Sequence, residues 1–174
     1  PIAMPRGGEV VRGGLDLSDD FSTDKIGVEW TFFNPDEDYA ARYRYEDKSL
    51  VIKGKGESPK DCSPLTMTAG DHSYQVQVDL EISGKARAGL ILFYNENMYA
   101  GLGFDGQHLI LHRYGAERMD KQTAGNRLHV RLVNDRNIVT LYTSADGEAW
   151  TKFGTGLEVS GYHHNVAGGF LSLK

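Results

Sequence analysis

The chain is expected to be all-β, with short antiparallel strands folded onto one another as a sandwich or barrel. Three observations predict this. Twenty-one glycines stand against five prolines, and short apolar runs are separated by polar turns. Apolar and polar residues alternate most cleanly where Tyr74, Val76, Val78, Leu80 and Ile82 share one face while Gln75, Gln77, Asp79 and Glu81 share the other. That is the mark of a strand with one wet side. No stretch of ordinary helix length carries a period of about 3.6.

Taken in order, residues 1–14 hold two prolines and the pairs Gly7-Gly8 and Gly13-Gly14, the chemistry of a linker or N-terminal arm, and residues 15–174 are expected to form one module. Leu15 to Phe21 reads as a first strand. Glu29-Trp30-Thr31-Phe32-Phe33 is aromatic and β-prone, and Asn34-Pro35-Asp36 ends it. Tyr43, Tyr45, Leu50 and Ile52 predict two further short strands, followed by a polar loop from Gly54 to Lys60. Pro64 to Thr68 fits an edge strand, where proline is tolerated. Leu128, Val130 and Leu132 alternate with His129 and Arg131, and Asn134-Asp135-Arg136-Asn137 turns the chain into Val139, Leu141 and Thr143. A turn closed by Trp150 follows, and Val166 to Leu173 reads as a final strand. Trp30 and Trp150 are expected in the core on the strength of their apolar neighbours. His163-His164 is read as capping a turn.

Residues 87–114 organise the rest. Three apolar runs are separated by Asn95-Glu96-Asn97 and by Asp105-Gly106, and the second pair is a two-residue hairpin signal. With that loop Phe104 pairs with Gln107, Gly103 with His108, Gly101 with Ile110 and Tyr99 with His112. Met98, Ala100, Leu102, Leu109 and Leu111 then face a core. Tyr99, Gly101, Gly103, His108, Ile110, His112 and Tyr114 share the other side. Glycines at 101 and 103 leave a trough between rings for a ligand, or else serve a bulge or the curvature of the sheet.

A net charge of −5 and a pI of about 5.7 give no global positive field for a phosphate backbone, so nucleic acid is not an expected partner. No apolar run approaches the roughly 20 residues that span a bilayer, and no basic segment followed by an apolar run opens the chain. No membrane partner and no signal peptide are expected within these residues. The lone Cys62 has no intrachain partner and no metal-ligand neighbours in sequence. Asp16, Asp19 and Asp20 could offer oxygens to a structural calcium, although an acidic run also serves as solvated surface.

Several of these stretches resemble a known family. Ala88-Gly89-Leu90-Ile91-Leu92-Phe93-Tyr94 and Met98-Tyr99-Ala100-Gly101-Leu102 look like the central strands of concanavalin A-like, laminin G-like jelly rolls. The hairpin from Arg131-Leu132 to Tyr142-Thr143, with Ser144-Ala145-Asp146-Gly147-Glu148-Ala149-Trp150, resembles the C-terminal β-sandwich of bacterial glycoside hydrolase family 43 proteins, the β-xylosidases and α-L-arabinofuranosidases. Leu17-Ser18-Asp19-Asp20-Phe21-Ser22 and Trp30 look like the entry to that module. The resemblance spans residues 15–174 and implies an antiparallel concanavalin A-like jelly roll. It also implies an accessory module of a secreted bacterial glycosidase. Such a module binds xylan or arabinoxylan, or braces a catalytic propeller that these residues do not contain.

Catalysis has less support in the residues than binding. Hydrolysis needs two carboxyl groups facing each other across the scissile bond, and neither Glu-x-Asp-x-x-Glu nor Glu-x-Asp-x-Glu, the pattern of jelly-roll glucanases, occurs. A jelly-roll polysaccharide lyase would use Tyr99 and His112, but the cation or amide that quietens the substrate carboxylate has no obvious source beyond Arg131 or Gln107. Sugar binding asks only for flat rings and planar polar side chains. Tyr99, His108, His112 and Tyr114 meet that need, and Arg131 and Tyr142 join them if their hairpin packs alongside.

Overall fold

The structure, a computed structural model, describes residues 17–120 and 125–174. Its strands are β1 (Trp30–Phe32), β2 (Tyr43–Glu46), β3 (Ser49–Ile52), β4 (Leu65–Met67), β5 (Ser73–Glu81), β6 (Ala88–Asn95), β7 (Met98–Phe104), β8 (Leu109–Arg113), β9 (Ala116–Met119), β10 (Arg127–Asp135), β11 (Ile138–Ser144) and β12 (Thr151–Glu158). A single turn of α-helix, α1 (His164–Ala167), follows them. No described helix is long and apolar enough to cross a membrane.

Two four-stranded antiparallel sheets form the sandwich, a first sheet in the order β6-β7-β8-β9 and a second in the order β12-β11-β10-β5. Their inner faces meet in one core, where Leu92, Ala100, Leu102, Phe104 and Leu109 of the first sheet pack against Leu128, Val130, Leu132, Val139 and Leu141 of the second. Alternation explains this packing, because each strand turns every second side chain inward. Two small two-stranded sheets, β1-β4 and β2-β3, complete the chain. They are tied together by aromatic contacts. The Phe32 ring lies 5.8 Å from Tyr43, and the Arg42 guanidinium stands 5.3 Å from the Phe32 centroid.

The β7-β8 hairpin departs from its expected register. Phe104 pairs with Leu109, Gly103 with Ile110 and Gly101 with His112. The Asp105 carboxylate accepts from the backbone N–H of Gln107 at 2.8 Å and of His108 at 2.6 Å, so the loop runs from Asp105 to His108. A side chain that captures two ladder donors lengthens the turn. Because the pairing slips by an even step, the two faces keep their membership.

Elsewhere, the two central residues of the β2-β3 and β10-β11 turns, Asp47-Lys48 and Arg136-Asn137, all have positive φ. Those turns match the twist of the strands they join. Residues 17–21 are not a strand: Asp19 and Asp20 accept from the N–H of Phe21 and Ser22 in local turns. Residues 166–173 are not a strand either. They contain the end of α1 and an extended tail whose last residue, Lys174, exchanges two backbone hydrogen bonds with Phe93 on the edge of β6. The helix forms because the His163 imidazole caps it, Nδ1 accepting from the Asn165 N–H at 3.2 Å. Strands β9 and β12 were not legible in the sequence. The N-terminal arm, Leu15 and Asp16 lie outside the described residues.

Candidate functional site

The six residues expected to hold sugar fall into four places. Tyr99 and His112 remain neighbours on the outer face of the first sheet, with ring centroids 5.8 Å apart. That face is covered. Tyr99 is 0% and His112 6% exposed. Phe33 meets Phe93 edge-on at 4.9 Å, and Glu57, Ser58 and Lys60 line, together with Tyr99, Arg87 and Glu117, a cavity of about 340 Å³ at the edge of this face.

The trough is filled as well. A Cβ on Gly101 would sit 2.2 Å from the Leu90 carbonyl oxygen, and one on Gly103 would sit 3.2 Å from His112 Nε2. At these positions the glycines admit a neighbouring backbone and an imidazole. Burial pushes the His112 imidazole below and the Tyr99 phenol above their ordinary pKa values.

His108 belongs to the β7-β8 loop, where its Nδ1 lies 3.2 Å from the Asp105 carboxylate. Tyr114 leaves the trough face because β8 ends at Arg113 and Tyr114 itself has φ of 49°. Its ring rests 5.3 Å from that of Tyr162, and its hydroxyl donates to the Glu158 carbonyl at 3.3 Å.

Arg131 and Tyr142 are directly paired across β10 and β11, on the outer face of the second sheet. Register extends that pair into a row across the sheet. Gln77 of β5 pairs with Arg131, and Lys152 of β12 pairs with Tyr142. Gln77 and Lys152 are exposed, while Arg131 and Tyr142 are half-buried.

The Arg131 guanidinium is held flat. It lies 3.7 Å above the Trp150 ring centroid, and its Nε and Nη2 donate to Gln77 Oε1 at 3.3 and 3.1 Å. Trp150 is held in turn by Nε1 donating to the Gly147 carbonyl at 3.0 Å. The turn beneath it is closed by Asp146, which accepts from the N–H of Glu148 and Ala149 at 2.9 Å each and from the Ser144 hydroxyl. Those bonds hold the Asp146 carboxyl down at about 2. Trp150 is thus a half-buried buttress for Arg131 rather than the core residue that its apolar neighbours predicted.

One row further along, Arg127 pairs with Asp79 and lowers its pKa, and His129 Nδ1 lies 3.7 Å from the same carboxylate. Sequence reasoning missed Trp150, Gln77 and Lys152 as members of a site. The signal available was positional: Gln77 lay on the wet side of its strand and Trp150 closed a turn at the end of the same hairpin as Arg131.

No carboxylate pair is poised for hydrolysis on this face, since Asp79 is occupied by Arg127. The lyase reading is not favoured either, because the buried Tyr99 and His112 stand beside Arg87, which already meets Glu117 at 3.4 Å. Among the described residues no group of three or more His, Cys, Asp or Glu side chains could hold a metal ion. Cys62 is unpaired and half-buried, and burial raises its thiol pKa.

The family model of the β-xylosidase C-terminal concanavalin A-like domain matches residues 18–171. The chain belongs to that family. The match covers most of the chain and names it a C-terminal domain of the β-xylosidase type. The fold is shared with a point mutant of the GH43 protein BlXynB from Bacillus licheniformis, at a TM-score of 0.74 and 20% identity over 89% of this chain and 34% of that one. It is shared too with xylan β-1,4-xylosidase from Bacillus halodurans, at a TM-score of 0.71 and 16% identity over 97% of this chain and 36% of that one. The domain thus spans about a third of those solved chains. No curated protein matches it by sequence.

Proposed function

We propose that this domain is the non-catalytic polysaccharide-binding module of a family 43 glycosidase, and that it holds xylan or arabinoxylan on the outer face of the second sheet. The row Gln77, Arg131, Tyr142 and Lys152, stiffened by Trp150, carries this reading. A tyrosine ring offers an apolar surface to the C–H side of a sugar, and the planar amide and guanidinium on one side of it offer hydrogen bonds to hydroxyls. Prior immobilisation of Arg131 reduces the ordering cost of binding. The burial of Tyr99 and His112 on the first sheet favours the second sheet's face for this role.

Titration calorimetry with xylan, arabinoxylan, cellulose and β-glucan oligosaccharides tests the reading. Binding to the xylan series that is lost in Tyr142→Ala and kept in Tyr99→Phe is the expected result. Absence of binding to every polymer would remove the polysaccharide role and leave a module that braces the catalytic domain.

A further inference from the structure

The proposed binding face carries a charge arrangement that its hydrogen bonding does not use up. Arg131 and Lys152 are the two cross-strand neighbours of Tyr142, one on each side. With strands about 4.8 Å apart, the two cations flank the ring from positions roughly 10 Å apart at the backbone. Among the described residues, no carboxylate lies within ion-pair distance of either. Arg44, Arg87 and Arg127 each meet a carboxylate, Glu46, Glu117 and Asp79.

The aspartates nearby are engaged elsewhere. Asp79 is held by Arg127, Asp135 accepts from the Ser73 hydroxyl, and Asp146 is closed into its own turn. Glu81 and Glu148 remain exposed acidic neighbours, at the Arg127 end of β5 and in the Trp150 turn. What sets this pair apart is placement: register puts one cation on each side of a single aromatic ring on an open sheet face. Arg131 gives two of the five N–H groups of a guanidinium to Gln77, and a guanidinium fork recognises a carboxylate by paired hydrogen bonds.

We propose that this face is selective for a xylan bearing uronic acid branches. The backbone lies along Tyr142, Arg131 receives the uronate carboxylate, and Lys152 adds attraction from the other side. This inference rests on the polysaccharide reading above and narrows it from xylan in general to acidic xylan.

The test compares three polymers on the 174-residue protein: glucuronoxylan, the same glucuronoxylan after chemical reduction of its carboxylates to alcohols, and neutral arabinoxylan. Glucuronoxylan is expected to bind about tenfold more tightly than its reduced form, a preference that shrinks as sodium chloride is raised from about 20 mM to about 500 mM. In Arg131→Gln the ratio of affinities for the native and reduced polymers should fall to about one, at whatever overall affinity remains, and in Lys152→Gln the ratio should fall part-way. Equal affinity for native and reduced glucuronoxylan would overturn the uronate inference and leave the polysaccharide reading standing. Binding to none of the three would overturn both. Dextran sulfate is the control for charge alone: binding as tight as that of glucuronoxylan, and unaffected by Tyr142→Ala, would also overturn the inference.

Discussion

The outer faces of the two sheets began as near equals and ended as opposites. Both combine aromatic rings with titratable side chains, yet the centre of the β6 to β9 face is buried at Tyr99 and His112, exposure returning only at its β9 edge, whereas the face of β5 and β10 to β12 is open along its length. On the sealed side Tyr99 packs between Phe93, at 6.1 Å, and His112, and polar character survives only as perturbed pKa values. On the open side every outward residue of β5 is exposed, and Arg131 is immobilised by a ring and an amide rather than by burial. Residue type alone therefore says little about a sugar site. What separates the two faces is whether another part of the chain lies on top.

Mutations can break or sharpen that contrast. The largest effect is expected for Tyr99→Ala, which empties a fully buried site and should cost about 3–5 kcal/mol in urea unfolding. Tyr142→Ala on the open face should cost less than about 1 kcal/mol. Equal losses at the two positions would mean that the faces do not differ in cover.

Gly101→Ala comes next. Its new methyl group would be driven to within 2.2 Å of the Leu90 carbonyl oxygen, and an overpacking cost of about 1–3 kcal/mol should appear as a lower urea midpoint. Full stability would show that the strands can spread at no cost.

Arg131→Ala should cost only about 1 kcal/mol of stability, the worth of a half-buried cation–π contact, while removing most polysaccharide affinity by calorimetry. A large stability loss with unchanged affinity would reverse the assignment of the face.

A pH comparison probes the sealed face directly. Burial holds His112 below its ordinary value, opposed by Glu117 and reinforced by Arg87. The folded state therefore takes up a proton less readily than the unfolded state. Its contribution is complete above the unfolded histidine value of about 6.5 and is lost as pH falls from there through the folded pKa. Urea unfolding at pH 7.5 and 5.5 should show wild type losing more stability on acidification than His112→Gln; parallel losses would place the imidazole in contact with water. The smallest effect is expected for His108→Ala, within about 0.5 kcal/mol and with no change in sugar binding.

Much of the fold was readable from the chain. The alternation of Tyr74 to Ile82, the apolar set Met98, Ala100, Leu102, Leu109 and Leu111, and the Leu128 to Thr143 hairpin all turn inward as their periodicity dictates. The register of β7 and β8 was misread because Asp105 spends its carboxylate on two N–H groups, and a dipeptide turn signal does not reveal that choice. Strand β12 was not read because its glycines, Gly154 and Gly156, interrupt the apolar pattern and it pairs with β11 across an irregularity. Of the candidate site, Arg131 and Tyr142 were placed together by one hairpin, which is local information. A positive φ in the turn after β8 removes Tyr114 from the trough face, and the apolar neighbours of Trp150 predict burial in the core where its actual cover is a guanidinium.

The amino-acid sequence by itself determined which side chains share a face, because alternation along a strand is set by the backbone of each residue and its immediate neighbours. It also determined the sandwich, since strands with one apolar side must bury that side against another sheet. Which outer face stays open was decided only in three dimensions. Phe33, Glu57, Ser58 and Lys60 reach the first sheet through contacts between segments far apart in the chain, and pairing rules within a strand carry no record of them.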